Sequence, residues 1–205
     1  MTPEAAASSD NQGTPFLDQI ASLLPAQGSW SEVDYLWLTS HTNRLVELAD
    51  GVIEVLPMPT ERHQAIVAYL FLAFVGFTQR IGGKVLFAPF RLRLRAGRFR
   101  EPDLLVLRSV GDPRRHEAYW DGADLVVEVV SEDDPARDLV AKRREYAEAG
   151  IPEYWIVDAR TETITVLQLA AGAYREHGVF HRGAAATSAL LAGLEISANG
   201  VFDAR

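Results

Sequence analysis

The chain contains no cysteine among its 205 residues. Disulfide bonds, zinc sites with thiolate ligands and catalysis by a thiol are therefore excluded, and nothing in the composition points to an oxidising compartment. Long apolar runs are also lacking, because the most apolar stretch, Ala65–Phe77, is shorter than the ~20 residues that a transmembrane helix needs. Residues 1–14 lack the basic start and apolar core of a signal peptide. We expect a cytoplasmic protein with no membrane segment.

A surplus of positive charge is lacking as well, since the formal net charge is −8. Proteins that coat nucleic acid nonspecifically gain affinity mainly by neutralising phosphates, so the acidic balance argues against that class. It does not exclude a nuclease, whose local field can differ from the total charge. The composition, 48% apolar and 23% charged, is typical of a globular protein. We expect one domain over residues 16–205, preceded by a disordered lead over residues 1–15.

Turn and capping signals predict a hairpin followed by a long helix. Asp50-Gly51 joins two short apolar segments, a pattern typical of a tight β-hairpin. Thr60 can cap a helix that runs from Glu61 to about Arg80 and ends at Gly82-Gly83. The middle of this helix is apolar nearly all round. We therefore expect one of its faces to pack on a sheet and part of the other to form a homodimer contact.

Alternation and apolar runs predict the strands. Apolar and basic residues alternate over Phe90–Arg95. This pattern predicts a half-buried strand whose leucines point inward and whose arginines point outward. Leu104–Leu107 and Leu125–Val130 are continuous apolar runs, which favour central strands covered on both faces. A helix over residues 133–150 separates the second run from another core strand, Tyr154–Asp158, and this order favours a parallel pair. The predicted fold class is α/β or α+β, a mixed β-sheet flanked by helices, with the N-terminal hairpin and a C-terminal antiparallel extension.

Two acidic side chains stand where packing alone gives no reason for them. Asp103 follows Pro102 at the start of one apolar run, and Glu128 lies inside another. Side chains alternate along a strand, so Glu128 shares a face with Val130, where an ionised carboxylate is costly unless it is paired or binds a metal. If the strands are neighbours, both carboxylates can converge on Mg²⁺, which takes one or two protein carboxylates and keeps several waters. The alternative is a buried pair of Glu128 with an arginine and a turn capped by Asp103.

A lysine on the following helix is the third candidate. At ~100° per residue, Asp138, Lys142 and Tyr146 fall on one side of the predicted helix, with Leu139 beside them. Because Leu139 and Tyr146 are expected to pack, Lys142 is aimed at the sheet, where Glu128 or a bound phosphate would be its anionic partner. The alternative is an ion pair of Lys142 with Asp138 at i,i+4, which contributes only a few tenths of a kcal/mol.

Further residues near these three have two interpretations each. His63 either faces the site as an acid, a base or a phosphate contact, or is a surface or hydrogen-bonded core residue. Glu101 is either a supporting acid behind the site or a solvent-exposed flank, and Tyr146 is expected to pack rather than react. A basic strip before Asp103 would guide a DNA backbone, or else is a solvated strand face that discourages edge pairing. The strip consists of Arg91, Arg93, Arg95, Arg98 and Arg100.

Together these segments resemble the PD-(D/E)XK nuclease superfamily, and within it the bacterial Uma family of restriction endonucleases, over roughly Leu36–Leu194. The resemblance implies a restriction-endonuclease-like fold with DNA as the substrate. It rests on the Asp50-Gly51 hairpin, His63-Gln64, Arg100–Leu104, Val127–Ser131, the Asp138, Lys142 and Tyr146 helix, and Gly150–Asp158.

The resemblance also implies roles for individual residues. Asp103 and Glu128 become ligands of Mg²⁺, with Mn²⁺ as a substitute and the Val129 carbonyl as a further ligand. The superfamily has its lysine two residues after the second acid, where this chain has Val130, and Lys142 takes that role. The implied reaction is hydrolysis of DNA phosphodiester bonds by metal-activated water. The alternatives are a non-catalytic binding or assembly module of the same fold, and a hydrolase of small phosphodiesters.

Overall fold

A computed structural model of the chain describes residues 22–131 and 136–205. The helices within those residues are α1 (Glu32–Ser40), α2 (Glu61–Ile81), α3 (Arg143–Glu148) and α4 (Ala198–Phe202), and a π-helical segment, Arg137–Lys142, leads into α3. The strands are β1 (Val46–Ala49), β2 (Val52–Val55), β3 (Lys84–Phe87), β4 (Arg91–Arg95), β5 (Arg98–Arg100), β6 (Leu104–Leu107), β7 (Tyr119–Asp121), β8 (Leu125–Val129), β9 (Glu153–Asp158), β10 (Thr163–Ala170), β11 (Ala173–His181), β12 (Ala185–Thr187) and β13 (Glu195–Ser197). The predicted lead over residues 1–15 lies outside the described residues.

Capping residues set the ends of α1 and α2. Ser31 Oγ accepts a hydrogen bond from the Asp34 N–H at 3.1 Å, and the Asp34 carboxylate accepts one from the Ser31 N–H, so a complete capping box begins α1. Thr60 begins α2 by accepting from the His63 N–H, and Gly82 ends it in the left-handed conformation. The predicted long helix and both its ends are confirmed.

A six-stranded sheet carries most of the core, in the order β11-β10-β9-β8-β6-β3. Strands β8 and β9 are parallel, as predicted, while the other neighbouring pairs are antiparallel. The central strands β6, β8 and β9 are buried along their whole length, which is the reason for their continuous apolar runs. A five-stranded sheet, β2-β1-β5-β4-β7, contains the predicted hairpin and the arginine-rich strand, and β12 and β13 form a separate pair. The observed fold is α+β.

The two faces of the six-stranded sheet are covered by different clusters. Helix α2 packs on one face, where the rings of Phe74 and Trp155 meet edge to face with centroids 5.4 Å apart. Val126, Val130 and Tyr146 belong to the cluster on the other face. Because side chains alternate along β8, Glu128 shares the face of Val126 and Val130, as the sequence predicted.

Helix α2 is the one helix in the described part of the chain that is long and apolar enough, by length and composition alone, to cross a bilayer. Its buried side chains, Ile66, Leu70 and Phe74 among them, pack in the core against the six-stranded sheet, as those of a core helix do. Leu72, on the opposite side, is exposed. The homodimer contact expected for that side stays a prediction.

The helix predicted over residues 133–150 takes a different form. Its first residues lie outside the described residues, and Arg137–Lys142 is π-helical rather than α-helical. A π-helix closes i→i+5 hydrogen bonds, so its side chains do not follow the angular positions of an α-helix. The expectation that Leu139 packs is therefore wrong, because that side chain is 37% exposed whereas Asp138 and Lys142 are buried.

Gly51→Ala is expected to destabilise the fold through the hairpin turn. Gly51 has a φ of +82°, and a Cβ there would lie 2.5 Å from the backbone oxygen of Gly28. We expect the free energy of unfolding, measured by urea denaturation, to fall by about 1–3 kcal/mol. Gly76→Ala, at an open position of α2, is the matched control and should raise it by about 0.5–1 kcal/mol. Equal effects of the two substitutions would contradict the hairpin geometry.

Candidate active site

A pocket of about 400 Å³ opens at the carboxyl ends of the parallel strands β8 and β9. The start of α2, the segment after β2 and the start of β6 close its other sides. In open sheets with helices on their faces, this end of parallel strands is where ligands bind. The titratable residues that line the pocket are Glu54, Arg62, His63, Glu101, Asp103, Glu128, Arg137, Asp138, Lys142 and Arg160.

Asp103 and Glu128 reach the pocket from neighbouring antiparallel strands. Leu104 pairs with Val127. Because the two strands are antiparallel, the residue before Leu104, Asp103, lies opposite the residue after Val127, Glu128. Asp103 Oδ2 accepts a hydrogen bond from the Val129 N–H at 2.7 Å, which ties the start of β6 to the end of β8. The structure therefore brings the two predicted acids to one side of the sheet and into one pocket.

Glu128 is buried, with 3% of its surface exposed, and its hydrogen bonds converge on one oxygen. Its Oε1 accepts from Lys142 Nζ at 2.8 Å and from the Tyr146 hydroxyl at 2.5 Å. Lys142, 5% exposed, also lies 3.1 Å from Asp138 Oδ1. Both partners considered for the lysine from the sequence, Glu128 and Asp138, are thus in contact with it.

The electrostatics of the pair depend on burial and on the surrounding acids. Burial raises the pKa of the Glu128 carboxyl, and the charges of Asp138 and Asp103 add to this, while Lys142 opposes it. For Lys142, burial lowers the pKa, but Glu128, Glu47 and Asp138 together raise it above its ordinary value. The lysine is therefore a cation, and a second cation beside Glu128 would favour the ionised carboxylate.

His63 lies against Asp103 rather than in solvent. Its Nε2 is 3.3 Å from Asp103 Oδ2. Burial lowers the pKa of His63, but the hydrogen bond to Asp103 and the charges of Asp103 and Glu128 raise it overall. Of its two interpretations, the geometry therefore favours the residue that faces the site.

Glu47 is a buried acid that the sequence interpretation missed. It lies in β1, with no exposed surface, 3.2 Å from Arg100 and 3.9 Å from Lys142, and it also pairs with Arg137. The five-stranded sheet thereby contributes to holding the lysine that contacts Glu128. The sequence could have indicated Glu47, because it is an acid inside a short apolar segment, which is the feature that indicated Glu128.

Glu101 lines the pocket as a buried supporting acid. It is buried, and its Oε2 accepts a hydrogen bond from the Val46 N–H at 3.0 Å. Burial raises the pKa of Glu101 to about 7, helped by the charge of Glu47, while the Val46 hydrogen bond and Arg91 lower it. The solvent-exposed alternative is excluded by this burial.

The basic strip does not reach the pocket. None of its five arginines is among the described residues that line it. Each of the five guanidinium groups has partners within the protein. They are backbone oxygens of Thr39 and Ala118 together with Glu101 for Arg91, Glu32 and Asp121 for Arg93, Asp50 for Arg95, Asp50 and Glu145 for Arg98, and Glu145 and Glu47 for Arg100. Their role as DNA contacts stays a prediction. To bind DNA phosphates, these guanidinium groups would have to give up their present carboxylate and carbonyl partners.

The donors in the pocket fit a hard divalent cation. No group of three or more His, Asp or Glu side chains is arranged around a metal position in residues 22–131 and 136–205. Asp103 Oδ1 and Glu128 Oε2, however, receive no hydrogen bond from any described residue, because the bonds of both carboxylates go to their other oxygens. Mg²⁺ needs only one or two protein carboxylates and keeps several waters, whereas zinc takes three or four protein ligands.

The fold and the sequence of this chain are each similar to those of known proteins. The structure is similar, with a TM-score of 0.64, to that of a "putative nuclease belonging to DUF820" from Anabaena variabilis, at 18% identity over 79% of this chain and 92% of that chain. The model of the Uma2 family, described as "Putative restriction endonuclease", matches residues 32–199. The chain belongs to the Uma2 family, as predicted, and is a nuclease by family. No curated protein matches it.

Glu101→Gln is expected to remove a pH dependence of stability. With a pKa of about 7, folded Glu101 holds a proton that the unfolded chain releases near its ordinary pKa of 4.5. Stability therefore falls as the pH rises between these two values. Relative to the variant, the wild type should lose up to about 3 kcal/mol of unfolding free energy between about pH 5 and 8 in urea denaturation. Parallel pH curves for the two proteins would contradict this assignment.

Proposed function

We propose that the protein is a Mg²⁺-dependent endonuclease that hydrolyses the phosphodiester bonds of DNA with water as the nucleophile. The observation that carries this proposal is the meeting of Asp103, Glu128 and Lys142 in one pocket, although they come from separate parts of the chain. The two acids each keep one oxygen free of hydrogen bonds from described residues. Packing alone would leave no reason for such an arrangement at the end of a buried sheet.

Asp103 and Glu128 would hold the ion, with the Val129 carbonyl as a further ligand and Mn²⁺ as a substitute. When bound, a divalent cation lowers the pKa of a coordinated water and neutralises charge on the phosphate. The chain itself presents both carboxylates in a fixed geometry. His63 and the Val129 N–H hold Oδ2 of Asp103, while Tyr146 and Lys142 hold Oε1 of Glu128.

Lys142 supplies the positive charge of the protein beside the reacting phosphate. Position 130, where the superfamily has its lysine, is a buried valine here, and Lys142 lies 2.8 Å from Glu128 instead. This distance supports the transfer of the lysine role to the helix after β8. A preorganised ammonium in a buried site stabilises developing negative charge without reorganising. Asp138 and Glu47 keep it charged and in place.

Substitution of any one of the three residues should strongly slow cleavage. We expect Asp103→Asn, Glu128→Gln and Lys142→Met to lower the rate of plasmid nicking in Mg²⁺ by about 100-fold or more. The reason is loss of the cation ligands in the first two and of the phosphate-stabilising charge in the third. Asp203→Asn makes the same acid-to-amide change at an exposed surface ion pair and should cut at the wild-type rate.

Each outcome of this assay separates the candidate functions. Nicking that stops when EDTA removes the metal and returns with Mg²⁺ or Mn²⁺ supports the proposal. Hydrolysis of a small phosphodiester but not of plasmid DNA would favour the small-molecule hydrolase. A folded wild type that cuts neither substrate with either metal would favour the non-catalytic binding module. Undiminished cleavage by Asp103→Asn would show that the assigned site is wrong.

A further inference from the structure

One side of the pocket is apolar and takes no part in the proposed chemistry. Leu56–Pro59, between β2 and α2, and Ala88–Pro89, between β3 and β4, line the pocket, and the Ala88 N–H donates a hydrogen bond to the Asp103 carbonyl at 3.2 Å. Met58 stands at the mouth with 70% of its surface exposed. Apolar residues beside acids that would hold a divalent cation suit a ligand with a flat apolar part and an anionic part, because the cation bridges the anionic part and the acids.

Two side-chain amides border the same space. Asn43 and Gln64 both line the pocket, and neither amide hydrogen-bonds to another residue of the described chain. Amides present a donor and an acceptor side by side, which is the pattern that reads the edge of a nucleobase. Exposed amides are common on protein surfaces, but these two line the same pocket as the apolar residues and Asp103.

The size and charge of the surroundings limit what can enter. A volume of about 400 Å³ is in the range that encloses a small ligand. A single nucleotide fits such a space, whereas a paired base inside a double helix cannot enter it. Duplex binding also relies on cations that are available to phosphates. Here the arginines of β4 and β5 are engaged with carboxylates and carbonyls of the protein, and the net charge is −8.

From these features we infer that the pocket binds one unpaired nucleotide of the strand to be cut. Its base lies on the wall formed by Leu56–Pro59 and Ala88–Pro89, and its edge is bound by the amides of Asn43 and Gln64. Its phosphate reaches Asp103 and Glu128 through the divalent cation that they would hold. The inference rests on the proposed function and specifies its substrate: a single strand, or a nucleotide turned out of a duplex.

Binding of three fluorescently labelled DNAs tests this inference. They are a short single strand, the same sequence fully paired, and the duplex with one bulged nucleotide. Anisotropy is measured with Ca²⁺ in place of Mg²⁺, and the recovered DNA is checked for cuts. We expect the single strand and the bulged duplex to bind about tenfold or more tightly than the paired duplex, because a paired base must first be unstacked and unpaired.

Matched variants locate the binding. Met58→Asp places a carboxylate on the apolar wall, and Gln64→Ala removes an amide; each should weaken single-strand binding by about tenfold. Val33→Asp, at a residue 76% exposed on α1, and Gln79→Ala, further along α2, make the same changes outside the pocket and should bind like the wild type.

The results distinguish this inference from the proposed function. If the paired duplex binds as tightly as the single strand, or if the pocket variants bind like their controls, the inference is wrong even where plasmid nicking stands. Absence of DNA binding overturns it as well. A third outcome is that the wild type binds the unpaired DNAs, the pocket variants bind them more weakly, and no DNA is cut in Mg²⁺. In that case the nucleotide site stands and the proposed function fails.

Discussion

The buried ion pair of Glu128 and Lys142 is the constraint on which the rest of the site depends. Two charged side chains with almost no exposed surface meet at 2.8 Å on a face of the sheet that is covered mainly by apolar side chains. Such a pair contributes little to stability by itself, because desolvation offsets the attraction, and removal of one partner leaves a costly buried charge. Tyr146 donates a further hydrogen bond to Glu128, and Asp138 and Glu47 are further anionic partners of Lys142. An arrangement of this cost is more readily explained by chemistry than by packing.

Both sheets take part in this arrangement. Strands β6 and β8 of the six-stranded sheet present Asp103 and Glu128, and β1 of the five-stranded sheet presents Glu47 to the same lysine. The π-helical segment joins them, since it carries both Asp138 and Lys142 inward four residues apart. Such segments are rare and occur frequently at functional sites. Asp103 and Glu128 each keep one oxygen without a hydrogen bond from a described residue, and these are the atoms that a divalent ion would use.

The sequence predicted those parts whose causes are local. The caps of α2, the hairpin at Asp50-Gly51 and the apolar runs of β6, β8 and β9 each follow from a few neighbouring residues, and all are confirmed. The π-helical turn was missed because its side-chain pattern resembles that of an α-helix. The ion pairs of Glu47 and of the arginine strip were missed for another reason. Ion pairs between distant segments depend on which strands become neighbours, and the periodicity of a sequence carries no information about that.

The position of a bound cation is the most direct test of the account. Crystals soaked in Mn²⁺ give an anomalous difference peak wherever the ion is ordered. The account predicts one peak in the pocket, within coordination distance of an oxygen of Asp103 and an oxygen of Glu128, and its disappearance in Asp103→Asn. A soaked crystal with no peak between these carboxylates, or with the ion bound elsewhere and indifferent to the substitution, would contradict it.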